Sequence, residues 1–417
     1  MLYSPEGRDL RPAAPGFVEF VMLVALIMAI GAFSIDNIMP AFGPIHQEFG
    51  VASANDVQLL MTVYMAGFAV MQLIYGPVSD MIGRRPTFLI GMGFYLVGSI
   101  AAVLATSFEF LLVARAIQGL GAASTRVLSI ALVRDRYEGR EMARVMSLTM
   151  MIFIIVPIFA PAIGSLILWA SGWRAIFGAM FGLAVFLMVW FSLRMPETLK
   201  PQYRQPMSLR ASGRAARRVM TTRVSLGYTT VVGVMFGCVM SYINSAQQIF
   251  ETEVYGLGPM FPVAFGSIAA VMGVASFLNS RLVPTIGMRR LAHGGAIGFT
   301  FVAAVQVACA WAFGGHPPLL LFSLLLAGCH FLFSIIMPNV NAMAMEPMGD
   351  IAGTASSVMG FYTTLLGAAV GYIVGQSFNG SVFPLALGYL GCGFFSVMIM
   401  LWTEKGRLFQ PHHAPRS

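Results

Sequence analysis

The stretch "GPVSDMIGRRP", Gly76 to Pro86, decides how this chain is read. It sets one acid, two arginines, two glycines and two prolines between long apolar runs. Hydrophobic residues make up 58% of the 417 residues and charged ones only 10%. Soluble domains carry about 25% charged residues, so a charge cluster here needs a reason. A bilayer core takes about 20 apolar residues per helix. With that ruler twelve runs are read: 17–40, 56–78, 87–106, 109–132, 145–170, 173–194, 225–248, 260–283, 291–314, 317–342, 353–377 and 382–402. Backbone groups cannot stay unpaired in lipid, so the runs are helices. The alternation of barrel strands is absent. The expected fold is an all-α membrane protein with twelve transmembrane helices in two six-helix halves.

The net charge of +8 is placed for a membrane and not for nucleic acid. Arg84 and Arg85 follow the second run, and Arg134, Arg136, Arg140 and Arg144 follow the fourth. Lys200, Arg204, Arg210, Arg214, Arg217, Arg218 and Arg223 fall between the sixth and seventh. Arg289 and Arg290 follow the eighth, and Lys405, Arg407 and Arg416 the last. The opposite loops hold one basic residue, Arg174. By the positive-inside rule both termini and the basic loops are cytoplasmic. The expected division is a cytoplasmic tail 1–16, an N-terminal half 17–195, a basic linker 196–224, a C-terminal half 225–402 and a cytoplasmic tail 403–417. The linker's arginines suit anionic lipid as well as water. The first apolar run is too long for a signal-peptide core and is read as a retained span. Cys238, Cys309, Cys329 and Cys392 all fall inside runs, without metal or disulfide spacing. A repeat supports the halves: Ile82-Gly83-Arg84-Arg85 has an echo in Ile286-Gly287-Met288-Arg289-Arg290, with Pro284 where the first copy has Asp80. Parallel six-span repeats place a binding site at their interface.

Physically, the opening stretch is a tight turn. Gly76 permits close helix approach, Gly83 permits a positive φ, and Pro86 starts the next helix. Asp80 suits the positive end of another helix. A turn that only set membrane orientation would need the arginines and not the acid. The pattern G-x₃-D-x₂-G-R-R resembles the loop 2–3 signature of the major facilitator superfamily. Further stretches sharpen the likeness. Arg115-Ala116-Ile117-Gln118-Gly119-Leu120-Gly121 is similar to the family's span 4 motif, and Val133-Arg134-Asp135-Arg136-Tyr137 ends that span as in many drug exporters. Pro157, Pro161 and Gly164 resemble the antiporter motif of span 5, with Val156 and Ala160-Pro161 where that motif usually has glycine and Gly-Pro. Trp173-Arg174 and Phe177 open span 6, and Pro196-Glu197-Thr198-Leu199 closes it. Together they resemble drug:proton antiporters of the bicyclomycin/chloramphenicol-resistance type. The resemblance implies an inner-gate latch of Gly76, Asp80, Gly83, Arg84, Arg85 and Asp135. In it Asp80 meets the start of span 11 near Gly353-Thr354, and an arginine pairs with Asp135.

A charge at a helix centre costs at least ~2.5 kcal/mol on insertion scales, so each one asks for a role. Asp36 lies roughly 6 Å inside the outer end of its run, and Arg115 roughly 9 Å inside its own. Burial penalises a carboxylate and a nearby arginine favours it, so this acid is expected to couple protons with Arg115 tuning it. A direct pair between them is left open. Arg126 lies deeper toward the inner face, where it either snorkels or binds an anion. His330 is either a titrating group or a hydrogen-bonded core histidine. Asn244, Gln247, Gln248 and Glu251 fall at i, i+3, i+4 and i+7 on one helical face, costly against lipid, so this face is expected to line the cavity or the seam between the halves. The expected cavity lining is Asn37, Tyr64, Phe68, Gln118, Phe153, Tyr242, Asn244, Gln247, Gln248, His330 and Tyr362.

No phosphate-binding G-x₄-G-K-[ST] loop is present, nor a metal cluster or nucleophile motif. The chain is expected to be no enzyme and to need no cofactor beyond a proton gradient. The expected function is proton-coupled export of small, fairly apolar drug-like compounds by a monomer in the bacterial inner membrane. Its partners are then the small molecule, protons and the lipid bilayer. Proton-coupled uptake or exchange of a polar metabolite or organic anion is the alternative. A non-transporting receptor with a transporter fold is the second.

Overall fold

The computed structural model describes residues 15–204 and 209–410; side chains at 139, 140, 143, 147, 150–154, 209 and 211 fall outside that description. Most of the expected N-terminal tail, part of the linker and the last residues of the C-terminal tail therefore lie outside the described residues. The described residues are helical throughout, with no strand among them. The helices are α1 (Phe17–Asp36), α2 (Phe42–Phe49), α3 (Leu59–Ile82), α4 (Arg84–Val103), α5 (Phe108–Arg136), α6 (Gly139–Ser171) and α7 (Trp173–Arg194). They continue as α8 (Leu209–Thr221), α9 (Arg223–Ala246), α10 (Phe261–Ile286), α11 (Met288–Ala312), α12 (Leu319–Met345), α13 (Ala352–Gln376) and α14 (Phe383–Thr403). Ten stretches of the described residues are long and apolar enough to cross a membrane. One of them, Leu319–Gln376, runs through both α12 and α13; α6 is not among the ten, its apolar part Ile155–Ser171 being shorter.

Local chemistry sets the breaks. Gly83 at φ 109° and Gly287 at φ 88° turn α3 into α4 and α10 into α11, a backbone region that L side chains avoid. Ser107 caps α5, its hydroxyl accepting from the Phe110 N–H at 3.1 Å. The first apolar run is not one helix to residue 40. The α-helix ends at Asp36, and the chain continues as a 3₁₀ turn, Met39–Ala41, into α2. Pro40 has no N–H to carry the ladder onward. The α9 helix widens instead of stopping, as a π turn over Gln247–Thr252. Such turns often mark functional sites.

Helices α1–α7 pack among themselves and so do α9–α14, while α3 against α13 and α6 against α10 form the seams between the two sets. The amphipathic α8 joins them. Its Ala215 and Val219 are buried, and Arg218 pairs with Asp350 at 2.6 Å, docking it on the second set. Within the first set, α6 keeps Pro157 and Pro161 inside the helix. One turn on, Gly164 has no room for a side chain. A Cβ there would run into the Asn37 carbonyl oxygen and stand 2.6 Å from the Asn37 Oδ1. We expect Gly164→Val to push α6 off α1 and cost about 1–3 kcal/mol, the usual range for overpacking. Thermal unfolding of the purified protein in detergent should show a lowered midpoint, and an unchanged midpoint would disprove the close approach.

Candidate functional site

The turn between α3 and α4 is tied down by carboxylates from elsewhere in the first helix set. Arg84 is 3% exposed. Its Nη1 donates to Asp80 Oδ1 at 2.5 Å and to Ser79 Oγ at 2.7 Å, and its Nε donates to Asp135 Oδ2 at 2.9 Å. Asp135 also accepts from Thr198 Oγ1 at 2.9 Å. Glu197, past the end of α7, accepts the backbone N–H groups of Arg84 and Arg85 at 2.9 and 3.1 Å. A carboxylate at a helix N-terminus is favoured by the dipole and satisfies orphan donors. Arg85 reaches the Ser192 carbonyl at 2.8 Å. The expected pairing of a turn arginine with Asp135 is present, made by Arg84. The expected meeting of Asp80 with α13 is not formed here. Asp80 is bonded to Arg84 and shares a cavity wall with Gly353 and Thr354.

The second helix set rebuilds this cluster from different residues. Arg289, at the start of α11, pairs with Glu404 at 2.5 Å and Glu346 at 3.5 Å. Tyr228 donates to Glu404 at 2.5 Å and lies 3.0 Å from His293 Nε2. Pro284 removes the acid from the turn, yet Arg289 still finds acids at the ends of α12 and α14. Sequence reading missed Glu346 and Glu404 because they match no motif in the turn itself.

At the opposite face the two sets are clasped together by neutral amides. Asn55 Nδ2 donates to the carbonyls of Gln376 and Phe378 at 3.2 and 3.0 Å. Gln376 Nε2 donates back to the Asn55 carbonyl at 2.7 Å. Gln248 Nε2 donates to Asn55 Oδ1 at 2.8 Å and its Oε1 accepts from Gln58 Nε2 at 2.7 Å. Further in, Gln72 Nε2 donates to Thr364 Oγ1 at 2.9 Å. Of these residues, sequence reading singled out only Gln248. Asn55, Gln58, Gln376 and Phe378 sit at run ends, where amides give no periodic signal, and Gln72 and Thr364 lie singly inside their helices.

Between the sets, a cavity of about 440 Å³ is lined from α3, α4, α5, α9, α12 and α13. Gln72, Asp80, Arg84, Arg126, Arg134 and Asn341 are among its polar lining. Among the described residues, none of those expected to line a cavity lines this one. Arg115 is fully buried inside the first set. It donates to Gln118 Oε1 at 2.5 Å, the Ser34 carbonyl at 3.2 Å and the Leu60 carbonyl at 3.3 Å, and lies 4.3 Å over the Tyr64 ring. Gln118 donates in turn to Ser99 Oγ at 2.8 Å, and Phe68 stacks on Tyr64. Those contacts leave Arg115 apart from Asp36, and no ion pair joins them. Asp36 is the last residue of α1, 4% exposed and without a hydrogen-bond partner among the described residues.

Asn37 is fully buried with both side-chain polar atoms unpartnered, and the buried Tyr242 hydroxyl and Asn244 Oδ1 are unpartnered as well. Tyr242 stacks on Phe265 and meets the His330 ring edge-on at 4.8 Å. His330 donates through Nδ1 to the Leu326 carbonyl at 3.0 Å. Gln247 is buried in the π turn, and Tyr362 lies 3.3 Å from Thr230. The Phe153 side chain lies outside the described residues. Asp36, Asn37, Tyr242 and Asn244 are all buried, and none of them lines the cavity.

Helices packed as two sets around one seam, sealed at one face and hollow at the other, are built to move a molecule across a membrane. Residues 23–372 match the family model of the Major Facilitator Superfamily, and the chain belongs to that family. It is a multi-pass membrane transporter and not an enzyme. It is 30% identical over 90% of its length to an uncharacterized MFS-type transporter, YdgK, of Bacillus subtilis, of which 91% is covered. It is 28% identical to a bicyclomycin resistance protein homolog of Haemophilus influenzae, covering 93% of this chain and 97% of that one. It is 26% identical to the multidrug resistance protein MdtL of Klebsiella pneumoniae, with 94% and 97% covered. Among solved structures, the partially occluded inward-open xylose transporter XylE of E. coli matches with TM-score 0.70 at 14% identity, covering 93% of this chain and 97% of that one. At that identity the likeness speaks to fold alone.

The clasp yields a test. Asn55→Ala removes three side-chain hydrogen bonds across the seam, each worth about 0.5–1.5 kcal/mol net. The opposite face should open in a larger fraction of molecules, roughly tenfold or more. Spin labels at Ala52→Cys and Asn379→Cys, both exposed, should show a longer inter-label distance growing in. An unchanged distance distribution would exclude the clasp as the closing element.

Proposed function

We propose that the chain is a proton-driven exporter of small, fairly apolar drug-like compounds, working by alternating access. On this reading α1, α3–α7 and α9–α14 form twelve spans in two halves. Both termini and the Arg-rich face carrying α8 are cytoplasmic, so the cavity opens inward. Relatives named for bicyclomycin and multidrug resistance support the substrate class. The observation that carries the proposal is Asp36. It is a buried carboxyl without a partner, at the C-terminal end of α1, where the helix dipole is also negative. A lone negative charge is costly there, and an intramembrane acid of this kind is functional by default. When the clasp opens, water from the far side reaches Asp36 and exchanges its proton. A compound entering from the cytoplasmic cavity then competes with that proton through the state of the seam. One charge moved across 100 mV is worth about 2.3 kcal/mol, or roughly a 50-fold gradient.

Asp36→Asn should abolish accumulation driven by an imposed pH gradient in proteoliposomes while sparing energy-independent exchange. Proton release on adding chloramphenicol to the purified protein should vanish with it. Release at wild-type amplitude would place coupling elsewhere, with His330 next in line. The latch is tested separately. Asp80→Asn should slow transport several-fold and leave binding measurable, because Asp80 sets conformational populations and not contacts. Equal loss of binding and transport in a well-folded variant would count against that role.

A further inference from the structure

Two arginines of the cavity wall have no counter-charge. Arg126 and Arg134 lie eight residues apart on α5, about 12 Å along one helix face. Val127, Ile130 and Ala131 lie between them on the same wall. Both arginines are exposed, and neither makes a hydrogen bond or ion pair among the described residues. The one acid in the wall, Asp80, is already bonded to Arg84. Arg126 stands ten residues from the end of α5, about 15 Å along the helix from it. The facing wall offers no acid, only neutral groups such as Thr229, Asn341 and Thr363 beside Met337 and Met359. The volume, about 440 Å³, falls within the usual range of small-molecule sites, about 300–1,000 Å³.

We propose that this cavity binds an amphiphilic organic acid: a carboxylate, sulfonate or phosphonate on an apolar body. The acid group is held by Arg126, whose planar guanidinium matches two oxygens at once. The apolar body lies along Val127, Ile130 and Met337. Arg134, nearer the mouth, draws the anion in. This adds apolar acids to the exported compounds and rests on the export reading for what drives them. A soluble acid and an anionic lipid headgroup share the chemistry; the enclosed depth of Arg126 favours the soluble acid.

The test uses the full-length protein in neutral detergent with 6-carboxyfluorescein as anionic probe and rhodamine 123 as cationic probe, read by fluorescence polarisation. Carboxyfluorescein should bind at least tenfold more tightly than rhodamine. Benzoate should displace it and benzyl alcohol should not. Arg126→Gln should weaken binding at least tenfold, and Arg126→Lys by less than that. The competition arm needs no variant, so a misfolded substitution does not decide the matter. Equal binding of both dyes, unaltered binding to a folded Arg126→Gln protein, or displacement by dihexanoyl phosphatidylglycerol but not by benzoate would each overturn the proposal. Uptake of chloramphenicol driven by a pH gradient is measured in parallel. If it persists while the anion arms fail, only the acid specificity falls. If it is lost while carboxyfluorescein binding follows the expected pattern, the site stands and the drug-export reading falls.

Discussion

The hydrogen bonds that Asn55 sends to Gln376 and Phe378, and receives from Gln248, hold the two helix sets together at one face. The rest of the molecule's state follows from that closure. Two rigid sets that touch at one end of a seam must part at the other, which is why the cavity lies among Asp80, Arg134 and Thr354. It is also why Asp36, Tyr242 and Asn244 are buried with polar atoms unpartnered. Unpartnered buried groups are expensive. They make sense as groups that meet water or a ligand once the clasp releases.

Each set is stiffened by an arginine that gathers acids from helix ends. Arg84 takes Asp80 and Asp135, while Glu197 caps the helix it opens. Arg289 takes Glu404 and Glu346. The two clusters are chemically alike without being copied residue for residue. The second turn keeps the arginine and lacks the acid, with Pro284 where the first has Asp80.

The fold was legible because its constraint is local. Lipid forces apolar runs into helices, and positive φ at Gly83 and Gly287 marks matching turns that the sequence repeats. The Arg84–Asp135 pair was legible too, through a motif whose spacing encodes it. The site was less so. Asp36 and Arg115 share a depth along their apolar runs, but depth fixes neither azimuth nor partner. Arg115 instead donates to carbonyls of neighbouring helices and to Gln118. Of the clasp only Gln248 was legible, because Asn55, Gln58 and Gln376 lie at loop edges where an amide is unremarkable. Arg126 was visible as a charge, yet the side on which it opens depends on which face of the seam is closed.

The kind of bond used at each place fits a molecule that must switch. Breaking a buried ion pair by losing one partner costs about 3–5 kcal/mol, and such pairs lie within a set, as in Arg84–Asp135 and Arg289–Glu404. The bonds described across the seam are neutral: six involving Asn55, Gln58, Gln72, Gln248 and Gln376. At about 0.5–1.5 kcal/mol each they sum to about 3–9 kcal/mol. That is more than one proton supplies across 100 mV, about 2.3 kcal/mol. Two states stay interconvertible only if their free energies differ by a few kcal/mol, so closing the other face must return most of the difference. The means are in place. The N-terminus of α13 has no side-chain cap, and Asp80 stands across the cavity from it, 45% exposed. A carboxylate docking on those free N–H groups stabilises a helix by about 0.5–2 kcal/mol, and each further seam contact adds to it. The proton then needs to supply only the remainder.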